Sequence, residues 1–195
     1  MVSRVESAAG TRRALLDAAA SLLDAGGPDA VTLREVGARA GVSRGAPYRH
    51  FADKESLLTA IASGAWDGLG SQVHALRDDP DLSASERLRA ALLGLIAVGR
   101  QQPHLYRLMF AVPSGDPTAV VRAAQRSQDE FLAIVADLVG ESAARRYGAL
   151  LMANALGVTG MEVSGHLNGE KWGTTAEELV EMLVAMVATA NVRGV

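Results

Sequence analysis

The sequence predicts an all-α fold of about nine helices, a small N-terminal group followed by a larger helical bundle. Three observations carry this prediction. Hydrophobic residues make up 49% of the 195 residues but aromatics only 4%, so the core is built of Ala, Leu, Val and Met, which suit close-packed helices better than strands. Apolar residues recur at spacings of three and four along most of the chain. Ser/Thr-x-x-Glu pairs, the mark of a reciprocally capped helix start, stand at Thr32/Glu35, Ser83/Glu86 and Thr174/Glu177.

Taken in order, residues 1–10 show no periodicity and are expected to be frayed. A first helix is expected over 11–25, where Leu15, Ala18, Ala19, Leu22 and Leu23 form one apolar stripe, and Gly26-Gly27-Pro28 ends it. The second begins at the Thr32 cap, carries Leu33, Val36 and Ala40 inward, and stops at Gly41. A short third helix is expected with Ser43 as its cap, which puts Pro47 at the fourth helical position. Phe51 is expected in the core, and Asp53 caps a long fourth helix. A helix from Ser83 to Gln101, a short piece "HLYRLMF" after Pro103 and a loop "AVPSGDP" follow. A helix ending near Gly140, another over 141–166, a loop "LNGEKWG" and a last helix opened by Thr174 complete the chain.

The net charge of −3 looks wrong for a nucleic-acid binder, but its distribution matters more than its sum. Residues 1–54 carry 8 cations and 6 anions, hence +2, whereas residues 55–195 carry 11 and 16, hence −5. Within 31–54, Arg34, Arg39, Arg44, Arg49 and Lys54 face only Glu35 and Asp53, giving +3. Charge alone does not distinguish a binding face from a solvated one.

The second helix, the Gly41 turn and the short polar third helix form a helix-turn-helix, a motif whose second helix enters the DNA major groove. Phosphates call for cations and hydroxyls, and base edges for Arg or for small residues that permit close approach. "SRGAPYRH" supplies all of these in eight residues. A proline costs about 3 kcal/mol in a helix interior, but near a helix start it loses little, because donors there are unpaired anyway. Two readings of Pro47 remain open: it shapes the turn, or its ring meets a thymine methyl.

Residues 32–58, "TLREVGARAGVSRGAPYRHFADKESLL", closely resemble the DNA-binding signature of TetR-family transcriptional regulators. The resemblance implies an N-terminal DNA-binding domain, 1–54, and a C-terminal effector-binding and dimerisation domain, 55–195. It places Tyr48, His50 and Lys54 on backbone phosphates, with Thr32 capping its helix near the DNA backbone. It places Arg34, Arg44, Gly45 and Ala46 on bases or neighbouring phosphates, with Ser43 and Arg49 in the same surface. Pro47 departs from the family, where an apolar residue such as leucine is commoner.

In this family the C-terminal domain binds a small molecule and pairs its last two helices with those of a second subunit. Ala149, Ala153, Gly157, Gly160 and Ser164 form a small-residue stripe, read either as that dimer interface or as an internal stripe packed against another helix or leaving room for a ligand. Trp66, Tyr106, Met109, Phe110, Phe131, Met152 and Asn154 are candidate effector-lining residues, each also readable as ordinary core. A mostly apolar lining suits an apolar or amphipathic effector.

The sequence contains no Cys, and its four His lie at none of the metal-ligand spacings, so neither a metal nor another cofactor is expected. His166 with Glu162 reads as a helix-surface pair. No nucleophile-base arrangement or phosphate loop points to an enzyme. The longest uncharged run, Tyr147–Met161, is 15 residues, short of the roughly 20 that span a membrane. The expectation is a cytoplasmic, homodimeric repressor that binds a palindromic DNA operator and is released by a small-molecule effector. The alternative is a helical ligand-binding or interaction module that does not read DNA sequence.

Overall fold

A computed structural model of the chain describes residues 4–113 and 116–192. Among the described residues there are ten helices and no strand: α1 (Arg4–Ala30), α2 (Leu33–Arg39), α3 (Ala46–His50), α4 (Lys54–Asp78), α5 (Ala84–Gln101), α6 (Pro103–Phe110), α7 (Thr118–Val139), α8 (Glu141–Val163), α9 (Gly169–Trp172) and α10 (Ala176–Val192). Residues 114 and 115 of the expected loop, and residues 1–3 of the expected frayed leader, lie outside the described residues. The chain packs into two compact units, residues 1–65 with 104–122, and residues 66–103 with 123–195. The expected boundary after residue 54 is the start of α4, whereas packing divides that helix between Ala65 and Trp66 and gathers most of α6 into the first unit.

In the first unit, Leu15, Ala19, Leu22 and Leu23 of α1 pack with Val31, Leu33, Val36, Phe51, Leu57, Leu58 and Ile61, and Leu105 and Leu108 of α6 lean on the same cluster. Helix α1 starts earlier than expected: residues 7–10 are helical but exposed, so they carry no apolar stripe. It is interrupted where expected, at Gly26 (φ −150°) and Gly27 (φ 70°, ψ −171°). Gly27 is buried against the His104 ring, and a Cβ there would lie 3.1 Å from it, so both its conformation and its surroundings require glycine. Thr32 caps α2 by accepting a hydrogen bond from the Glu35 amide (3.1 Å). Gly41, at φ 65°, turns the chain out of α2.

In the second unit, α5 packs against both α8 and α10. Leu88, Leu92, Leu95 and Ile96 of α5, Leu151 and Ala155 of α8, and Val180, Val184 and Val187 of α10 are all buried. Small residues set the helix approaches: a Cβ on Gly148 would stand 2.5 Å from Leu132 Cδ2, and one on Gly70 would stand 3.2 Å from the Ser127 backbone. Arg100 ties three helices together, donating to Glu162 through Nε (3.1 Å) and Nη2 (2.7 Å), and to Glu177 through Nη2 (2.9 Å). These bonds raise the Arg100 pKa above its usual value and hold the Glu177 carboxyl below its own.

Several local expectations are corrected. The Ser83–Glu86 box is present, but the last box is Thr175–Glu178 rather than Thr174–Glu177, because Glu177 is taken by Arg100. Helix α8 ends at Val163, so Glu162 and His166 do not pair along a helix: Glu162 binds Arg100 and the His166 ring meets the Ser164 hydroxyl at 2.8 Å. The expected loop after it holds the short helix α9, capped by the Asn168 side chain and closed by Gly173 at φ 63°. Among the described residues, no helix is long and apolar enough to cross a membrane.

Candidate nucleic-acid interface

The α2–turn–α3 segment is built tightly. The Gly41 amide donates to the Ala38 carbonyl, the Val42 amide to Gly37 and the Ala46 amide to Ser43 (3.2, 3.2 and 2.8 Å). The last of these bonds decides where α3 begins. Its cap is Gly45, with no side-chain capping bond, so Ser43 is not the expected cap, and Pro47 falls at the second helical position rather than the fourth. A residue at that position has no intrahelical partner for its amide, so the proline loses no hydrogen bond.

This start also fixes which side chains face inward. Ala46 is 2% exposed and Pro47 is buried, so Ala46 offers no surface to a base, contrary to expectation. Pro47 lies over Gly37 of α2, where a Cβ would come within 2.7 Å of Pro47 Cγ. The ring fills the space that Gly37 leaves, which assigns Pro47 to packing the turn rather than to a thymine methyl. The next two residues turn outward: Tyr48 is 59% exposed and Arg49 is exposed.

Around them, Thr32, Arg34, Ser43, Arg44 and Gly45 are exposed, and His50 and Lys54 are half-buried. Arg34, Arg44, Arg49 and Lys54 make no ion pair among the described residues, whereas Arg39, expected only as charge, donates to the Ser21 hydroxyl (2.8 Å). The Ser56 amide donates to Asp53 Oδ1 (2.7 Å) and the Asp53 amide to Ser56 Oγ (3.2 Å), which fixes the first turn of α4 and with it the backbone of Lys54. Phe51 is core as expected, and the Arg12 guanidinium lies over its ring at 4.9 Å. The result is a short helix held from behind that presents exposed Tyr48 and Arg49, with Arg34 on α2, Arg44 in the turn and Lys54 opening α4 also free of ion pairs among the described residues, a set of residue types suited to phosphate and base-edge contacts.

These features coincide with the match of two family models. Residues 15–61 match "Bacterial regulatory proteins, tetR family", and residues 88–187 match "Tetracyclin repressor-like, C-terminal domain". The chain belongs to the TetR family. It is 36% identical over 118 residues to the HTH-type transcriptional regulator BetI of Klebsiella pneumoniae, covering 50% of this chain and 59% of that one. It is 31% identical over 99 residues to the nucleoid occlusion factor SlmA of Sodalis glossinidius, covering 50% of each. The chain thus spans about half the length of the curated relatives it matches. A protein of unknown function from Rhodococcus sp. RHA1 superposes with TM-score 0.78 at 26% identity, covering 92% of this chain and 94% of that one. A TetR transcriptional regulator from Streptomyces coelicolor gives 0.67 at 21%, covering 93% and 97%.

The other expected residues are dispersed. Of the effector candidates, Tyr106, Met109 and Phe110 belong to the first unit, where the Tyr106 and Phe110 rings lie 5.0 Å apart and Phe110 is exposed. Trp66, Phe131 and Met152 belong to the second, where Trp66 and Phe131 are buried and Met152 half-buried. Asn154 is exposed and its amide donates to the Leu150 carbonyl one turn back (2.8 Å), so it does not line the interior of its unit. Ala149, Ala153, Gly157, Gly160 and Ser164 are all exposed, and a Cβ on Gly157 or Gly160 would meet nothing within 4 Å. The stripe is therefore not packed inside the protomer. Sequence reasoning missed Met182 and Met186 on α10, both exposed; their spacing of four in "EMLVAM" was the available signal.

Proposed function

We propose that this chain is a homodimeric, DNA-binding transcriptional repressor, active in the cytoplasm, whose affinity for a palindromic operator falls when a small molecule binds its C-terminal domain. The observation that carries the reading is the exposure of Tyr48 and Arg49 on α3, flanked along the chain by Arg34 of α2, Arg44 of the turn and Lys54 of α4, cations without ion-pair partners among the described residues. Tyr48, His50 and Lys54 contact phosphates in this reading. Arg34, Arg44 and Arg49 contact base edges or adjacent phosphates, and Thr32, Ser43 and Gly45 let the DNA backbone approach. The family relationship supports the assignment, and no catalytic residue is part of it.

The exposed α8 stripe with Met182 and Met186 of α10 supports pairing through the last long helices. Such pairing sets two α3 helices about one DNA turn, 34–36 Å, apart. In this reading Trp66, Phe131 and Met152, buried or half-buried in the second unit, are the apolar residues that an apolar or amphipathic effector meets. Because α4 runs through both units, an effector that favours one dimer geometry shifts the population that fits DNA. Selection of random duplexes by the purified chain at fixed salt tests this: a two-fold symmetric site should be enriched by wild type and not by Tyr48→Ala. Enrichment of no site would refute the reading.

A further inference from the structure

Every side chain placed on DNA above lies between residues 32 and 54, in α2, the turn, α3 and the start of α4. Helix α1 packs against both α2 and α3, yet supplies none of them. It does bring one cation to the same corner. The Arg12 guanidinium lies over the Phe51 ring, 4.9 Å from its centroid. Phe51 is the residue after α3, its amide still donating to the Pro47 carbonyl (2.9 Å), and Lys54 opens α4 three residues on. Arg12 thus reaches from α1 to the junction that joins His50 to Lys54, the two phosphate contacts on either side of it.

Phe51 is only 4% exposed whereas Arg12 is exposed, so the guanidinium covers the ring from the solvent side. The attraction to the ring face uses the charge of the cation and none of its N–H groups. Arg12 makes no ion pair and no hydrogen bond among the described residues. Its donors therefore stay unspent, and a guanidinium presents them as a rigid planar fork that matches a phosphate. Holding that fork in place before DNA arrives lowers the ordering cost of using it. Covering Phe51 alone would ask only for an apolar side chain, which leaves no charge unpaired.

We infer that Arg12 is a further phosphate-contacting residue, brought by α1 to the DNA backbone beside His50 and Lys54. The inference rests on the DNA-binding reading above and extends its surface to a helix outside residues 32–54. Because a phosphate carries no sequence information, Arg12 adds affinity for any duplex and no preference among them.

Salt titrations of DNA binding by the full chain test it, with the selected symmetric duplex and an unrelated duplex. Arg12→Met keeps an apolar cover on Phe51 and removes the charge. It should bind both duplexes more weakly by a similar factor, and lower the slope of log affinity against log salt by about 1. Arg12→Lys keeps the charge and should keep the slope. Arg13→Met, which removes an exposed cation one residue along, should leave it unchanged. An Arg12→Met slope equal to that of wild type, or an equal fall in Arg13→Met, would overturn the contact and leave the DNA-binding reading standing. A loss confined to the symmetric duplex would do the same, since it would mean base readout. A wild type that binds no duplex would overturn both. Should Arg12→Met alter the fold, seen by circular dichroism, the slope of Arg12→Gln decides in the same way.

Discussion

Gly37→Ala puts two rules in direct opposition. Gly37 lies inside α2, where alanine in place of glycine favours the helix by about 1 kcal/mol. It is also buried under Pro47, and the added methyl would stand 2.7 Å from Pro47 Cγ. A pyrrolidine ring cannot rotate away, and α3 is held by the Ala46–Ser43 bond, so the strain falls on the α2–α3 packing. Overpacking of this kind costs about 1–3 kcal/mol. The difference leaves Gly37→Ala destabilised by about 1 kcal/mol, with operator affinity lowered as α3 is displaced. Adding Pro47→Ala removes the ring from the collision and opens room that the new methyl fills. The two substitutions should therefore couple favourably by about 1–2 kcal/mol in a double-mutant cycle. Urea unfolding followed by circular dichroism measures all four variants. A Gly37→Ala chain more stable than wild type would show that propensity wins and that Pro47 does not lock α3 onto α2.

Three further outcomes follow from the same structure. Arg44→Ala should weaken operator binding and lower the slope of log affinity against log salt by about 1 if Arg44 neutralises a phosphate, as a salt titration by anisotropy would read; an unchanged slope removes that contact. The hydrogen bonds from Ser83 hold the Glu86 carboxyl below its usual pKa of 4.5, so its contribution to stability is present above pH 4.5 and lost as pH falls through the folded-state value. Glu86→Gln should flatten that part of the acid-unfolding profile and leave its shape near neutrality unchanged; an unaltered acid limb would contradict the linkage. Gly157 is exposed and a Cβ there would meet nothing within 4 Å, so Gly157→Leu should spare the fold and weaken assembly; a fully retained dimer in sedimentation would exclude this face from the interface.

Much of this architecture was legible in the sequence because it is local. The α1 stripe, the Gly41 stop, the Thr32 cap and the Ser83–Glu86 box depend on residues within a turn or two of each other. What was not legible was settled by distant partners or by single backbone bonds. Thr174-Thr175 followed by Glu177-Glu178 offers two equivalent boxes, and only Arg100, on another helix, selects between them. Ser43 and Gly45 both suit a cap, and the Ala46–Ser43 bond chooses Gly45, burying Ala46 and turning Tyr48 outward. Helix α9 is four residues long, too short to show a period. Helical residues 7–10 bury nothing and so leave no pattern. The outward cations and Tyr48 were found from residue type and spacing, while the exposure of the α8 stripe needed the packing of α5 against α8 and α10.

The most direct test of the central claim is the binding of a selected two-fold symmetric duplex, compared with the same duplex carrying one scrambled half-site, to wild type and Tyr48→Ala at one salt concentration. Two protomers per symmetric duplex are predicted, with affinity falling sharply when a half-site is scrambled and falling for both duplexes when Tyr48 is lost. Equal affinity of wild type for both duplexes, or a Tyr48→Ala variant that binds as wild type does, would contradict the claim that the outward face of α3 reads DNA.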